Sequence, residues 1–502
     1  MRSNLVSRPF RLKSYFDRFF GSPLVLATIL IFAVLLRLKY YVGVSRFDSF
    51  FYAQLSYFIS QADFHSFFFE NNNFFAVGRL PLYFPTAFLY RFIGVRDLTS
   101  IAFVLFASIL SIIVVYFLGK KLLNRKVGLV AAFLMAIFPL DVYHATQYLP
   151  DGLLPLFFGL AALAFLYAED ERNIKRRTLL YYLVGISIGL AQLIRENAFI
   201  FTAVLIVYVV LKRRFKFEYL WVFIGGLTIF FLTGLFFLFG TGDFFYQYKL
   251  IFSTFSAARE RIESSAWRAP QLLGFTKVIL FDRLFRPFSF LIVLSLAHSI
   301  FYRRKELGFA LIWFITLLFY FETVSRLHGL TAINRYLTPL LIPTVLLISS
   351  FLVMIYEYFR VKLFIAIFFL LLLILPCVEA ISVERSMTKY HRWFVTYRSL
   401  ATELKGREIN KVYIQFLRHK GYIFNYVFDF EGLNYNSFQR DRVEGTDSLL
   451  REWDGKNEPE AGSYTVVDTP QTREAIRPNW VLIHKKYNAS LYYVPGSGEG
   501  FD

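Results

Sequence analysis

Apolar runs long enough to cross a bilayer recur through the first 380 residues of the chain. A spanning helix needs roughly 20 mostly apolar residues, and within hydrocarbon only helices and closed barrels satisfy their own backbone groups. The runs fall at 23–41, 99–119, 127–141, 150–168, 179–194, 197–211, 219–240, 287–302, 307–323, 336–357 and 362–381. They predict an α-helical polytopic membrane protein of about eleven transmembrane helices. The first run, Pro23 to Tyr41, is too long for a signal-peptide core and has no small-residue cleavage site after it, so it reads as a retained helix.

Charge orients these spans. The chain carries +19 overall. Residues 383–502 hold 17 Lys and Arg against 16 Asp and Glu, about +1, so the apolar part holds the remaining +18. Five basic residues precede the first run, and KKLLNRK (120–126), EDERNIKRR (169–177), KRRFK (212–216), RRK (303–305) and the stretch around Arg360 and Lys362 fall on every second link. The alternating links 142–149 and 195–196 hold a single Lys or Arg. Basic links stay in the cytoplasm, which predicts a cytoplasmic N-terminus and an extracytoplasmic C-terminal segment. Charge distributed this way marks membrane topology and not nucleic-acid binding. The lone cysteine, Cys377, excludes an intrachain disulfide. Scarce cysteine with abundant charge in the links suits a prokaryotic cell membrane.

The division expected is residues 1–382 as the membrane module and 383–502 as a small soluble α/β domain. In the latter, KVYIQFL, SYTVVD and WVLIHKK read as strands and YRSLATELKG as a helix. Asn488-Ala-Ser matches a glycosylation sequon, a common chance match. Two long loops, 42–98 and 241–286, fall on the outer side. In the first, residues 49–60 and 83–94 read as amphipathic helices lying in the interface.

The candidates for chemistry lie at these outer segments. Asp48 follows the first run, where a carboxylate can serve as a general base or as a helix N-cap. Asp151, in Tyr148-Leu-Pro-Asp, suits the positive end of a helix dipole. It can equally line the same cavity, holding a metal ion or an acceptor. Arg335, in Asn334-Arg-Tyr-Leu-Thr-Pro, has the donor fork that clamps a phosphate, or it anchors the interface beside Tyr336. Arg195 and Glu196 share a turn, where neighbours do not face each other, and Arg195 can add positive charge to the cavity. Arg79 is a candidate of the same kind. Glu70 and His328, with His65 and His144, are candidate ligands for a divalent metal, although their spacing matches no metal signature. No glycine-rich nucleotide loop is present.

In order, the segments RFDSFFYAQLSYFIS, RLPLYFPTAFLYRFIG, LGKKLLNRKVGLVAA, AIFPLDVYHATQYLPDGLL, GLAQLIRENAFIF and NRYLTPLLIP resemble the GT-C superfamily of membrane glycosyltransferases. The branch is that of the protein O-mannosyltransferases, the ArnT aminoarabinose transferases and the RgtA/B/C/D-like enzymes. The resemblance implies a GT-C type helical bundle and an inverting hexosyl or pentosyl transferase. Its donor would be a sugar on a polyprenyl (dolichyl or undecaprenyl) phosphate, and its acceptor a glycan, lipid or protein at the outer face of the membrane. It implies Asp48 as base and Asp151 as a second acidic residue that positions the acceptor or a divalent ion. Arg335, Tyr336, Arg195 and Arg79 would bind the donor phosphate. Several relatives carry an Asp-Glu pair where Asp48 is followed by Ser49, which leaves open whether a second carboxylate is needed or whether Asp151 or Glu70 supplies it. The rival reading is a multi-pass transporter or lipid flippase. Transporters commonly show internal repeats, and the halves of this chain show none.

Overall fold

The computed structural model describes residues 23–69, 75–213, 215–253, 256, 273–301, 305–328, 332–358, 363–405, 407, 409, 411–415, 417–428, 450–453 and 455–495. Helices dominate. They are α1 (Pro23–Lys39), α2 (Phe47–Ser60), α3 (Phe64–Phe69), α4 (Leu80–Ile93), α5 (Asp97–Leu122), α6 (Arg125–Ile137) and α7 (Pro139–Ala145). Then come α8 (Leu154–Asp170), α9 (Ile174–Ile194), α10 (Ile200–Lys212), α11 (Leu220–Thr241), α12 (Gly274–Phe281), α13 (Arg286–Phe301), α14 (Gly308–His328), α15 (Leu341–Tyr358) and α16 (Leu363–Lys389). Among the described residues, six helices are long and apolar enough to cross a membrane, or eight if each of two bent pairs is one span. The other three apolar runs are helical too, as α1, α10 and α16.

The bends have local causes. Phe138 precedes Pro139, and a residue before proline is driven out of the helical region. Phe138 is extended (φ −62°, ψ 118°), and α6 and α7 meet at 58°. α12 and α13 turn through 113° at Asp282–Phe285. Helices α9 and α11 touch backbone to backbone. A Cβ at Gly185 would lie 2.0 Å from the Val222 carbonyl, and one at Gly225 would lie 2.2 Å from that of Tyr182. Small residues permit this approach in apolar surroundings, where close packing drives helix association.

The two loop helices differ. α4 exposes Phe84, Phe88 and Phe92, a stripe at every fourth residue, as an amphipathic helix should. On α2, by contrast, Ser49 through Ser56 are all buried. The expectation of a one-sided interfacial helix fails there because later parts of the chain cover its other face.

Those parts are α17 (Arg392–Leu404) and α18 (Leu417–Val427), in the C-terminal segment that also holds α19 (Pro470–Glu474) and a five-stranded sheet. The strands are β1 (Val412–Ile414), β2 (Leu450–Glu452), β3 (Ser463–Val467), β4 (Val481–Lys486) and β5 (Ala489–Val494), in the order β2-β1-β3-β5-β4. The first three are parallel, and β3-β5-β4 are antiparallel. β3 is buried at every residue, as a central strand covered on both faces should be. The expected strand KVYIQFL shrinks to three residues because α18 begins at Leu417. Asn488 is exposed in the turn between β4 and β5.

Candidate active site

Three short 3-10 turns open three long helices at one end of the bundle: Pro150–Leu153 before α8, Glu196–Phe199 before α10 and Asn334–Leu340 before α15. Tight turns of this kind are frequent at helix N-termini, and proline at the first position of Pro150–Leu153 favours one there. The first carries Asp151, the second has Arg195 at its N-cap, and the third carries Arg335 and Tyr336. A parallel bridge between Gly43 and Gln147, with the Gly43 amide donating to the Thr146 carbonyl at 2.8 Å, brings α2 alongside.

Asp48 lies in the first turn of α2, and Arg46 occupies the N-cap position without a side-chain cap bond. Asp48 is therefore not the cap. Arg335 Nη1 donates to its Oδ2 at 3.2 Å, and both side chains are partly open, 24% exposed for Arg335 and 33% for Asp48. Arg335 Nε is buried with no hydrogen-bond partner. Asn334 fixes this turn by donating to both carboxylate oxygens of Asp282, at 3.3 and 3.2 Å.

Arg195 and Glu196 point apart, as the sequence implied, and each finds a different partner. Arg195 Nε donates to Asp151 Oδ1 at 2.9 Å, and Nη2 reaches the same oxygen. Asp151 is 1% exposed, and its Oδ2 has no hydrogen-bond partner. Glu196 instead lies 3.9 Å from Arg79. Tyr336 is flanked by two guanidinium groups, Arg195 at 4.8 Å and Arg335 at 5.5 Å from its ring centre. Such stacking is attractive and orients the cations.

Arg79 stands at the N-cap of α4, is 3% exposed and stacks on Tyr52 with 5.2 Å to the ring centre. Its Nη1 donates to the Tyr52 hydroxyl. Burial pushes that phenol up to about 12, with Arg79 opposing the rise and Asp48 adding to it, so Tyr52 remains a neutral hydroxyl. Burial also disfavours the charge on Arg79, but the nearby carboxylates of Glu196 and Asp151 oppose this, and the guanidinium stays protonated.

The structure thus gathers Asp48, Asp151, Arg335, Tyr336, Arg195 and Arg79 into one constellation. It does not gather the metal candidates. Glu70 lies outside the described residues, as does the His328 side chain. His144 is buried, and neither ring nitrogen has a hydrogen-bond partner. Among the described residues no three His, Cys, Asp or Glu side chains converge as a metal-holding group. Tyr52 was not singled out by the sequence, and only its place one turn after Asp48 on a helix signalled it. A second ion pair was also missed. Arg37 and Asp141 meet at 2.5 Å inside the bundle, and a charge within an apolar run was the available signal.

Residues 81–237 match the family described as dolichyl-phosphate-mannose-protein mannosyltransferase. No curated protein sequence matches the chain. Among solved structures, ArnT from Cupriavidus metallidurans in the apo state superposes with a TM-score of 0.65 at 14% identity, covering 96% of this chain and 98% of that one. The same protein bound to undecaprenyl phosphate gives 0.61 at 14% identity, over 93% and 97%. The Archaeoglobus fulgidus oligosaccharyltransferase in complex with Zn and sulfate gives 0.52 at 14% identity, over 80% of this chain and 61% of that one. With its helical bundle, its C-terminal sheet and these structural neighbours, the chain has the fold of the GT-C superfamily of membrane glycosyltransferases.

Proposed function

We propose that the protein is an inverting glycosyltransferase that moves a sugar from a polyprenyl-phosphate donor to a glycan, lipid or protein acceptor at the outer face of the membrane. The observation that carries this reading is the half-open pair of Asp48 and Arg335, 3.2 Å apart and backed by Arg195 and Arg79. A base beside a phosphate-binding cation is what glycosyl transfer from a lipid phosphate requires. The bound undecaprenyl phosphate of the ArnT structure and the alternating basic links support the donor class and the outward face.

In this reading Asp48 accepts the proton of the acceptor hydroxyl as its oxygen attacks the anomeric carbon. The bond from that carbon to the phosphate oxygen breaks, and the electron pair leaves with the lipid phosphate. One displacement inverts the centre. Arg335 meets the charge that develops on the phosphate, since fixed charge in a dry site is usually the largest catalytic contribution. The arriving phosphate also competes with Asp48 for Arg335, which loosens the carboxylate toward the acceptor. Asp151, buried against Arg195, keeps that arginine and the ring of Tyr336 in place. Arg79 anchors the first loop to Glu196. The lipid tail explains why such a site sits on a membrane bundle, because the phosphate never leaves the bilayer surface.

The test is turnover in liposomes supplied with radiolabelled polyprenyl-phosphate sugars. Wild type should release lipid phosphate from one donor, and Asp48→Asn should be slower by roughly 100- to 10,000-fold, the usual worth of a general base. Equal rates would remove Asp48 as base. Movement of donor across the membrane without hydrolysis or transfer would overturn the enzyme reading in favour of a flippase.

A further inference from the structure

Building on the assignment of Asp48 as base, we infer that the C-terminal domain is a positioning part of the active site, gripping the strap Tyr41–Val44 and the first turn of α2. The grip centres on Asp97, which opens α5. Its Oδ1 accepts from Arg398 Nη2 of α17 at 2.8 Å and from the Tyr426 hydroxyl of α18 at 2.9 Å. Arg398 Nη1 also donates to the Val44 carbonyl at 3.2 Å, four residues before Asp48. Arg385 Nε and Lys389 Nζ, at the end of α16, donate to the Tyr41 carbonyl at 2.9 and 3.3 Å. Two residues after Asp48, Phe50 is 1% exposed. Its ring meets Tyr426 edge-on at 5.4 Å and Phe394 at 6.3 Å.

The bland reading is an ordinary contact between domains that adds stability and nothing else. Two observations favour positioning. The grip falls on both sides of Asp48, at Val44 and at Phe50. The first turn of α2 also lacks a side-chain cap: Arg46, at the N-cap, makes none, and its carbonyl accepts from the Ser49 and Phe50 amides at 3.0 and 3.2 Å as at any helix start. A helix start without a side-chain cap is less strongly fixed than a capped one, so contacts from other segments carry more of the placement of Asp48. A misplacement of about 1 Å at a reacting group costs on the order of 100-fold in rate.

Arg398→Met removes the grip, Arg398→Lys restores a cation, and Tyr426→Phe keeps the ring on Phe50 while deleting the hydroxyl. In proteoliposomes Arg398→Met should lower kcat by about 100-fold with donor KM within about twofold of wild type. Arg398→Lys should recover part of the loss. Added to Asp48→Asn, Arg398→Met should cause no further fall, because both act through one group. Amide hydrogen exchange gives a readout free of turnover: Arg398→Met should speed exchange in residues 46–51 and leave α4 unchanged. A raised KM with kcat intact, full additivity with Asp48→Asn, or unchanged exchange at 46–51 would overturn the inference. If wild type turns over no donor, the glycosyltransferase reading falls separately, and exchange alone decides whether this domain fixes the turn.

Discussion

The protein contains two Asp–Arg pairs of opposite character. Arg37 and Asp141 are 0% and 2% exposed, and the pair is enclosed by further partners. Arg37 donates to Ser108 Oγ at 2.9 Å, to the carbonyls of Ala33 and Ala136 at 3.1 Å, and to Asp141, which also accepts from Ser108 at 2.6 Å. Arg335 and Asp48 share one contact at 3.2 Å, with the Nε of Arg335 unpartnered and both side chains open to solvent. An enclosed pair with most of its donors already engaged has little left to offer a ligand. A half-open pair with spare donors and acceptors can exchange its partner for a phosphate on one side and a hydroxyl on the other. The first holds helices α1, α5 and α7 together, and the second is the proposed site of reaction.

This contrast can be broken or sharpened by substitution. Asp48→Asn should leave the melting temperature in detergent near wild type while turnover falls by roughly 100- to 10,000-fold. A large drop in melting temperature would make Asp48 structural as well. Arg37→Met should do the reverse. It strands a buried carboxylate and should cost about 3–5 kcal/mol in stability, read as a lower melting temperature or failure to accumulate in the membrane. Normal stability would show that Asp141 finds another partner or a proton. Arg335→Lys keeps the charge but loses the planar fork. Donor KM should rise about tenfold, the equivalent of one lost charge-assisted hydrogen bond, and an unchanged KM would remove Arg335 from the phosphate. The smallest effect is expected for the double replacement Arg37→Met with Asp141→Leu. Exchanging a buried ion pair for apolar side chains is often neutral or stabilising, so the double variant should melt near wild type or above it. A loss as large as that of Arg37→Met alone would show that the pair contributes beyond cancelling its own burial.

The site was legible in the sequence to an uneven degree. Asp48, Asp151, Arg195, Arg335 and Tyr336 stood out because charged and aromatic residues at the ends of apolar runs are costly to place there without a reason. What each of them pairs with was not legible. Arg195 and Glu196 are neighbours in the chain, yet one reaches Asp151 on the turn before α8 and the other reaches Arg79 before α4. Nothing local decides that choice. The loop helices make the same point. From periodicity α2 and α4 look alike, and the Phe84, Phe88 and Phe92 stripe of α4 remains exposed as its pattern predicts. α2 is enclosed because α17 and α18, more than 300 residues later in the chain, pack against it through Phe394 and Tyr426.

Hydropathy and its period determined the helical bundle, because a backbone in hydrocarbon has to bond to itself and long apolar runs have one way to do so. The ordered motifs determined the GT-C resemblance, and the change in composition after the last apolar run marked out the C-terminal sheet. Only the tertiary structure decided which of the charges became a closed structural pair and which stayed open. The reason is physical. Burial and partner choice are set by what every other segment brings to a position, and no stretch of sequence around Arg37 or Arg335 holds that information.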